Sequence, residues 1–362
     1  MVTKTWAVVG AGNGGHAFAG HLALLGQRVR IFDVVQATVD ALNEKGGITL
    51  EQELEGFGPL EFATTDIEKV MDGAEVIALI LPSIYHEAMA RRMIPHLKDG
   101  QTVFIQPEQT CGGIMFRKLM KEMGCTADVV IGTSVTLLYA ARLLEPGHVR
   151  LHGLKKTLPI AAIPSKDNAR LEAALCDVFP MMYTVQNVLM TSLRNLNIPA
   201  HPLPTLMNTS RLEADPYVPF EYYLDGITPS IGKYLEHMDE ECIAVSKAFG
   251  CEIPSLGKIY SEIYDYEAEG IPLHELYYKC PGYAGIMGGK TLRARYILED
   301  IPYSLVPAQA LARIAGVPTP YIDVVIALAY NMLPGEIDEG RTAEALGIAG
   351  MTKEELLELV NG

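Results

Sequence analysis

One short stretch limits this chain more than any other. Val8-Val9-Gly10-Ala11-Gly12-Asn13-Gly14-Gly15-His16-Ala17 carries G-x-G-x-x-G at Gly10, Gly12 and Gly15. It follows the apolar run Trp6 to Val9 and opens helix-compatible sequence from Asn13 to Leu25. In that context the three glycines serve, in order, the tight turn, close backbone approach to a pyrophosphate, and close helix–strand packing. The helix N-terminus, with Asn13 and Gly14, then offers unbonded N–H groups and a partial positive charge to phosphate. Asp33 closes the next strand, Val29 to Phe32, 23 residues after Gly10. A carboxylate there accepts both ribose hydroxyls of NAD and repels a 2′-phosphate. Arg28 and Arg30 leave NADP open, because an arginine can accommodate that phosphate. Pro82 and Ser83 fall where a loop after the fourth strand would pass the cofactor; a helix-starting turn fits them equally.

The rhythm of the first half agrees. Strand candidates at Val76 to Leu81, Thr102 to Ile105 and Val129 to Ile131 alternate with helical sequence, which predicts βαβ units and a doubly wound parallel sheet. Ile48 to Phe62 breaks the rhythm as a small hairpin, while His148 to Leu154 and Leu158 to Ile163 are expected to extend or edge the same sheet. After about residue 186 the character changes. Asn195 to Pro204, rich in Asn and Pro, suits a linker or irregular entry. Beyond it Ile231, Tyr234, Leu235, Met238, Cys242, Val245 and Phe249 step by three and four along one helix face, stopped by Gly250. Further helices are expected at Ser255 to Tyr266, Val306 to Ala315, Tyr321 to Asn331 and Thr352 to Val360. The chain thus divides into an α/β Rossmann-type NAD-binding domain, 1–190, and an all-helical substrate domain, 191–362; its 362 residues suit about two domains.

Composition narrows the partners. Lys plus Arg number 29 against 44 Asp plus Glu, a net charge of −15, so a nucleic-acid partner is not expected. Small anionic substrates held by one or two local arginines remain compatible. No apolar run reaches the roughly 18–20 residues of a membrane helix. Six cysteines without a C-x-x-C pair or a Cys/His cluster predict no metal site and a reduced, cytoplasmic protein with no signal peptide. A monomer and a homodimer both suit the apolar content of 49%.

Two further constellations carry chemistry. In Asn197-Ile198-Pro199-Ala200-His201-Pro202, followed by Asn208, prolines hold a histidine whose ordinary pKa suits acid–base work; a structural histidine fits equally. Arg293 to Pro302 brings Arg295, Glu299 and Asp300 together. An arginine binds a carboxylate bidentately, and a buried aspartate can orient a histidine. An ordinary i,i+4 or i,i+5 ion pair capping a helix is the simpler account of that spacing.

Taken together, GAGNGGHAFAGHLALLG, NIPAHP…N, RYILEDIPYSLVP and GVPTPYID resemble the opine dehydrogenase family, in order and over nearly the whole chain. The resemblance implies a Rossmann domain before an all-helical one, with substrate in the cleft between them. It makes His201 the catalytic histidine, Asp300 its partner and Arg295 a substrate-contacting arginine. Gln109 and Thr136 would help position the amino-acid substrate, with Asn208 in the same set. Thr133 and Ser134 depart from the family, where an acidic residue is common. The implied reaction is NADH-dependent reductive condensation of an amino acid or amine with an α-keto acid such as pyruvate, through an imine. Two alternatives stand beside it: an NAD-dependent 2- or 3-hydroxy acid dehydrogenase, whose expected G-x-x-x-K or G-x-x-x-N helix motif is missing, and a non-catalytic NAD-binding protein.

Overall fold

A computed structural model describes residues 2–362, which form two compact units. The first comprises residues 2–108, Gly112–Val188 and Val360–Gly362; the second comprises Gln109–Cys111 and Leu189–Leu359. The two long stretches meet at Val188/Leu189, and two short segments cross-belong, which no compositional shift signals.

The first unit holds twelve strands among the described residues: β1 (Thr5–Val9), β2 (Arg28–Phe32), β3 (Gly47–Gln52), β4 (Gly56–Pro59), β5 (Phe62–Thr64), β6 (Val76–Leu79), β7 (Thr102–Ile105), β8 (Val130–Ser134), β9 (Tyr139–Glu145), β10 (His148–Leu154), β11 (Leu158–Ile163) and β12 (Met182–Thr184). Eight of them make the main sheet, in the order β12-β11-β8-β7-β6-β1-β2-β5. From β8 to β5 every pair is parallel, and β11 turns back antiparallel on β8. β1, β6 and β7 are buried at every residue, as a sheet covered on both faces requires.

The other four strands form a second sheet, β4-β3-β10-β9. Here the structure corrects an expectation: β10 does not extend the main sheet but pairs in parallel with β3 and antiparallel with β9. Its alternation gave the clue, with Val149 and Leu151 inside and Arg150 outside, the pattern of a sheet with one wet face. This sheet covers helix α1 (Asn13–Leu24): a Cβ on Gly20 would lie 2.8 Å from Leu50 and 3.1 Å from Ile48. With a sheet on each side, α1 is buried from Gly15 to Ala23 and shows no polar face.

The second unit is helical, with one isolated bridge, Glu221 to Met287, among the described residues. Its longest helix runs Pro229–Ala248, capped by the Thr228 side chain and ended before Gly250, whose φ is +72°. Asn195 to Pro204 is an entry to the helical unit rather than a linker. It winds into short helices, Asn197–Ala200 and Pro202–Met207, with Asn195, Ile198 and Leu203 buried. No helix among the described residues is long and apolar enough to cross a membrane.

Candidate active site

The glycine turn joins β1 to α1. Gly10 adopts φ +111°, and a Cβ there would sit 2.4 Å from the Ile80 carbonyl oxygen, so the loop after β6 passes directly over the turn. A Cβ on Gly15 would lie 1.7 Å from the Gly10 carbonyl oxygen, which makes that position the helix–strand packing glycine. A Cβ on Gly12 would meet nothing within 4 Å. Open space at Gly12, beside the unbonded N–H groups of the first helical turn, is the cradle a pyrophosphate needs. The residues therefore fit NAD.

Other cofactor candidates in this unit are engaged by the fold. Asp33 accepts the Ala11 N–H through Oδ2 and the Val35 N–H through Oδ1, both at 2.9 Å, which fixes its carboxylate at the end of β2. Asn13 accepts the Leu143 N–H of β9 at 2.8 Å, so its side chain fastens α1 to the second sheet. His16 does likewise, its Nε2 accepting the Gly147 N–H at 3.0 Å. Arg30 turns away to Glu61, at 2.6 Å. Pro82 caps a short turn, Ser83–Tyr85. Thr136 lies in the loop between β8 and β9, its carbonyl accepting from the Ser134 hydroxyl at 3.0 Å.

The histidine–aspartate pair lies in the second unit. His201 follows the helix Asn197–Ala200, and its Nδ1 is 2.7 Å from Asp300 Oδ2. Asp300 is 3% exposed and sits before Ile301–Leu305, a turn wound as π-helix. Its other oxygen accepts the Gln109 side-chain amide at 3.0 Å and, at 3.5 Å, that of Asn197. Asn197 also donates to Gln109 Oε1 at 3.2 Å, closing a ring of amides around the carboxylate. Burial pushes the Asp300 carboxyl above its ordinary value, and the neighbouring His201 pulls it back. Gln109 holds φ +59°, a conformation disfavoured outside glycine, and Thr110 and Cys111 anchor it through Ser192 and Asn195.

Tyrosines surround the dyad. Tyr296 stacks on the His201 ring at 3.9 Å and 16°, and the Tyr223 hydroxyl lies 3.0 Å from His201 Nε2. Tyr223 in turn stacks on Tyr283 at 3.9 Å and 10°. The Tyr222 hydroxyl donates to the His201 carbonyl at 2.7 Å. Spacing in the sequence pointed to none of these contacts.

Arg295 does not pair with Asp300. Its Nε donates to Glu299 Oε2 at 2.6 Å, four residues on, and its side chain remains 72% exposed. A guanidinium held along one edge keeps its other N–H groups for a carboxylate. Asn208 is different: its Nδ2 donates to the Pro204 and Gly226 carbonyls, both at 2.8 Å, and ties the local fold together.

A Rossmann unit with an open glycine turn, together with a half-buried histidine held by a buried aspartate in a helical unit, is the build of an NAD-dependent oxidoreductase. Residues 184–333 match the family described as NAD/NADP octopine/nopaline dehydrogenase, alpha-helical domain, and residues 5–122 match the NAD-dependent glycerol-3-phosphate dehydrogenase N-terminus. The opine dehydrogenase of Arthrobacter sp. (strain 1C) is 38% identical over 97% of both chains. Octopine dehydrogenase solved with NADH and agmatine superposes with a TM-score of 0.80 at 21% identity, covering 98% of each chain. The same enzyme solved with NADH and pyruvate gives 0.77, again at 21% identity and 98% coverage of each. The chain belongs to the opine dehydrogenase family, NAD-dependent oxidoreductases acting on the CH–NH group of their donors.

Proposed function

We propose that His201, oriented by Asp300, moves the proton in an NADH-dependent reductive condensation of an amino acid with an α-keto acid. The observation that carries this reading is the 2.7 Å contact between His201 Nδ1 and a buried Asp300 whose second oxygen is held by amides. With Nδ1–H committed to the carboxylate, Nε2 is the nitrogen that exchanges protons, and Asp300 stabilises the imidazolium that forms. That imidazolium supplies a proton to the keto-acid oxygen as the amine adds and water leaves. The exposed edge of Arg295 holds the keto-acid carboxylate bidentately. Bound NADH supplies the hydride that reduces the imine carbon. Gln109 acts through Asp300, and Thr136 belongs with the residues that position the amino partner. The fit of Gly12 and Asp33 supports NADH as the cofactor, and the cysteine spacing supports a cytoplasmic setting.

The test is NADH consumption with a keto acid alone, with neutral, basic, acidic and thioether amino acids alone, and with both together. Consumption that needs both partners is the expected result. Consumption with the keto acid alone would place the chemistry with the hydroxy acid dehydrogenases instead.

A further inference from the structure

An imidazole has two nitrogens, and in His201 one of them is committed. Nδ1 donates to Asp300 at 2.7 Å, so only Nε2 can give or take a proton, and what Nε2 meets is the Tyr223 hydroxyl at 3.0 Å. Neither ring is loosely placed. Tyr296 covers one face of His201 at 3.9 Å, Tyr283 lies flat on Tyr223 at 3.9 Å, and Tyr222 packs edge-on against Tyr223 at 4.9 Å. Tyr223 is 3% exposed.

We infer that the Tyr223 hydroxyl is the group through which the His201 proton reaches the substrate and, in the reverse direction, returns. This rests on the role of His201 proposed above. When His201 is neutral, Tyr223 O–H donates to Nε2. When it is charged, Nε2–H donates to the Tyr223 oxygen, and the phenolic hydrogen must point elsewhere. The balance is simple. The Tyr223 O–H bond breaks and its proton goes to the keto-acid oxygen, while the Nε2–H bond breaks and re-forms the phenol. Imidazolium becomes imidazole, the substrate gains one proton, and the tyrosine is unchanged.

The surroundings favour concerted transfer. Burial pushes the Tyr223 hydroxyl well above the ordinary phenol range, with Tyr296, Tyr222 and Tyr277 adding to it, so a free phenolate does not accumulate. The charged groups facing the dyad are Asp300 itself, Glu299 and Arg295.

The experiment is a proton inventory in mixtures of H2O and D2O, on single turnovers of NADH-loaded enzyme mixed with both substrates. Two protons in flight give a curved plot for the native protein. Tyr223→Phe keeps the ring on Tyr283, and it should give a straight plot and a turnover lower by about tenfold or more. Its KM for the keto acid should stay within about twofold, because ground-state binding is untouched. A straight plot for the native protein overturns the inference, whether or not the variant folds. So does Tyr223→Phe turning over within about twofold of native. His201→Ala separates the two readings. If it turns over at the native rate, the acid–base role of His201 falls as well. If it is impaired while Tyr223→Phe is not, only the relay falls.

Discussion

Asp33 engages both carboxylate oxygens with backbone N–H groups, one of them from Ala11 in the glycine turn. Removing it therefore does two things: it loosens the glycine turn, and it deletes the carboxylate that we propose accepts the ribose hydroxyls. The first effect is common to NADH and NADPH and cancels in their ratio. Asp33→Ala should therefore weaken NADH relative to NADPH by about tenfold or more, the worth of a hydrogen bond to a charged group, read by fluorescence titration with each cofactor. An equal loss for both would undo the ribose assignment. At this scale the sequence was unevenly legible. Asp33 could be placed by spacing, because a βαβ unit fixes the distance between two strand ends. His201 and Asp300 are 99 residues apart, and only resemblance joined them. Of the two ion pairs that the spacing allowed, the i,i+4 pair of Arg295 with Glu299 forms and the i,i+5 pair with Asp300 does not. Tyr223 lies in a run, Glu-Tyr-Tyr-Leu, whose pattern carries no information about a partner 22 residues away.

Among the elements, α1 answers to two sheets, and its glycines divide the labour. A methyl on Gly15 would collide with backbone, the Gly10 carbonyl oxygen at 1.7 Å, which no side-chain rotation relieves. A methyl on Gly12 would enter open space. Gly15→Ala should lower both the thermal midpoint and NADH affinity, with a stability loss on the order of 2–3 kcal/mol from strain and overpacking. Gly12→Ala should leave the midpoint unchanged to within about 0.5 kcal/mol of stability and weaken NADH alone. Parallel loss in both variants would show that Gly12 serves the turn rather than the ligand. Elements with one strong physical signal were legible: β7 and the helix Val306–Ala315 coincide with their predicted bounds. Where composition and environment diverged, the reading failed. Asn and Pro between 195 and 204 suited a linker or an irregular entry, yet the stretch winds into short helices and Asn195 bonds inward to Ser304 at 2.9 Å. The alternation in β10 was visible, but nothing local says which of two sheets a strand joins.

For the molecule as a whole, acid should find a weak point before the carboxylates titrate. His21, buried in α1 against Tyr139 at 2.8 Å, has its pKa pushed down by burial to about 4 from 6.5. The native state keeps this imidazole neutral while the unfolded chain takes up a proton below 6.5, so stability falls with pH across the window from 6.5 to about 4. The loss approaches roughly 3 kcal/mol at its lower end. Trp6, the single tryptophan, touches Phe179, which also contacts His21, so its fluorescence in urea reports on this unit. His21→Gln should flatten the dependence; an unchanged slope would assign the acid sensitivity elsewhere. The division into two units has another consequence, which follows from Gln109–Cys111. This tripeptide is encoded amid the dinucleotide-binding half, yet it belongs to the helical unit and supplies the amide that Asp300 Oδ1 accepts. A genetic crossover anywhere from 112 to 188 would inherit Gln109 from one parent and the His–Asp pair from the other. The helical unit is therefore not a transplantable cassette, and chimaeras between relatives must carry this distant insert along with it.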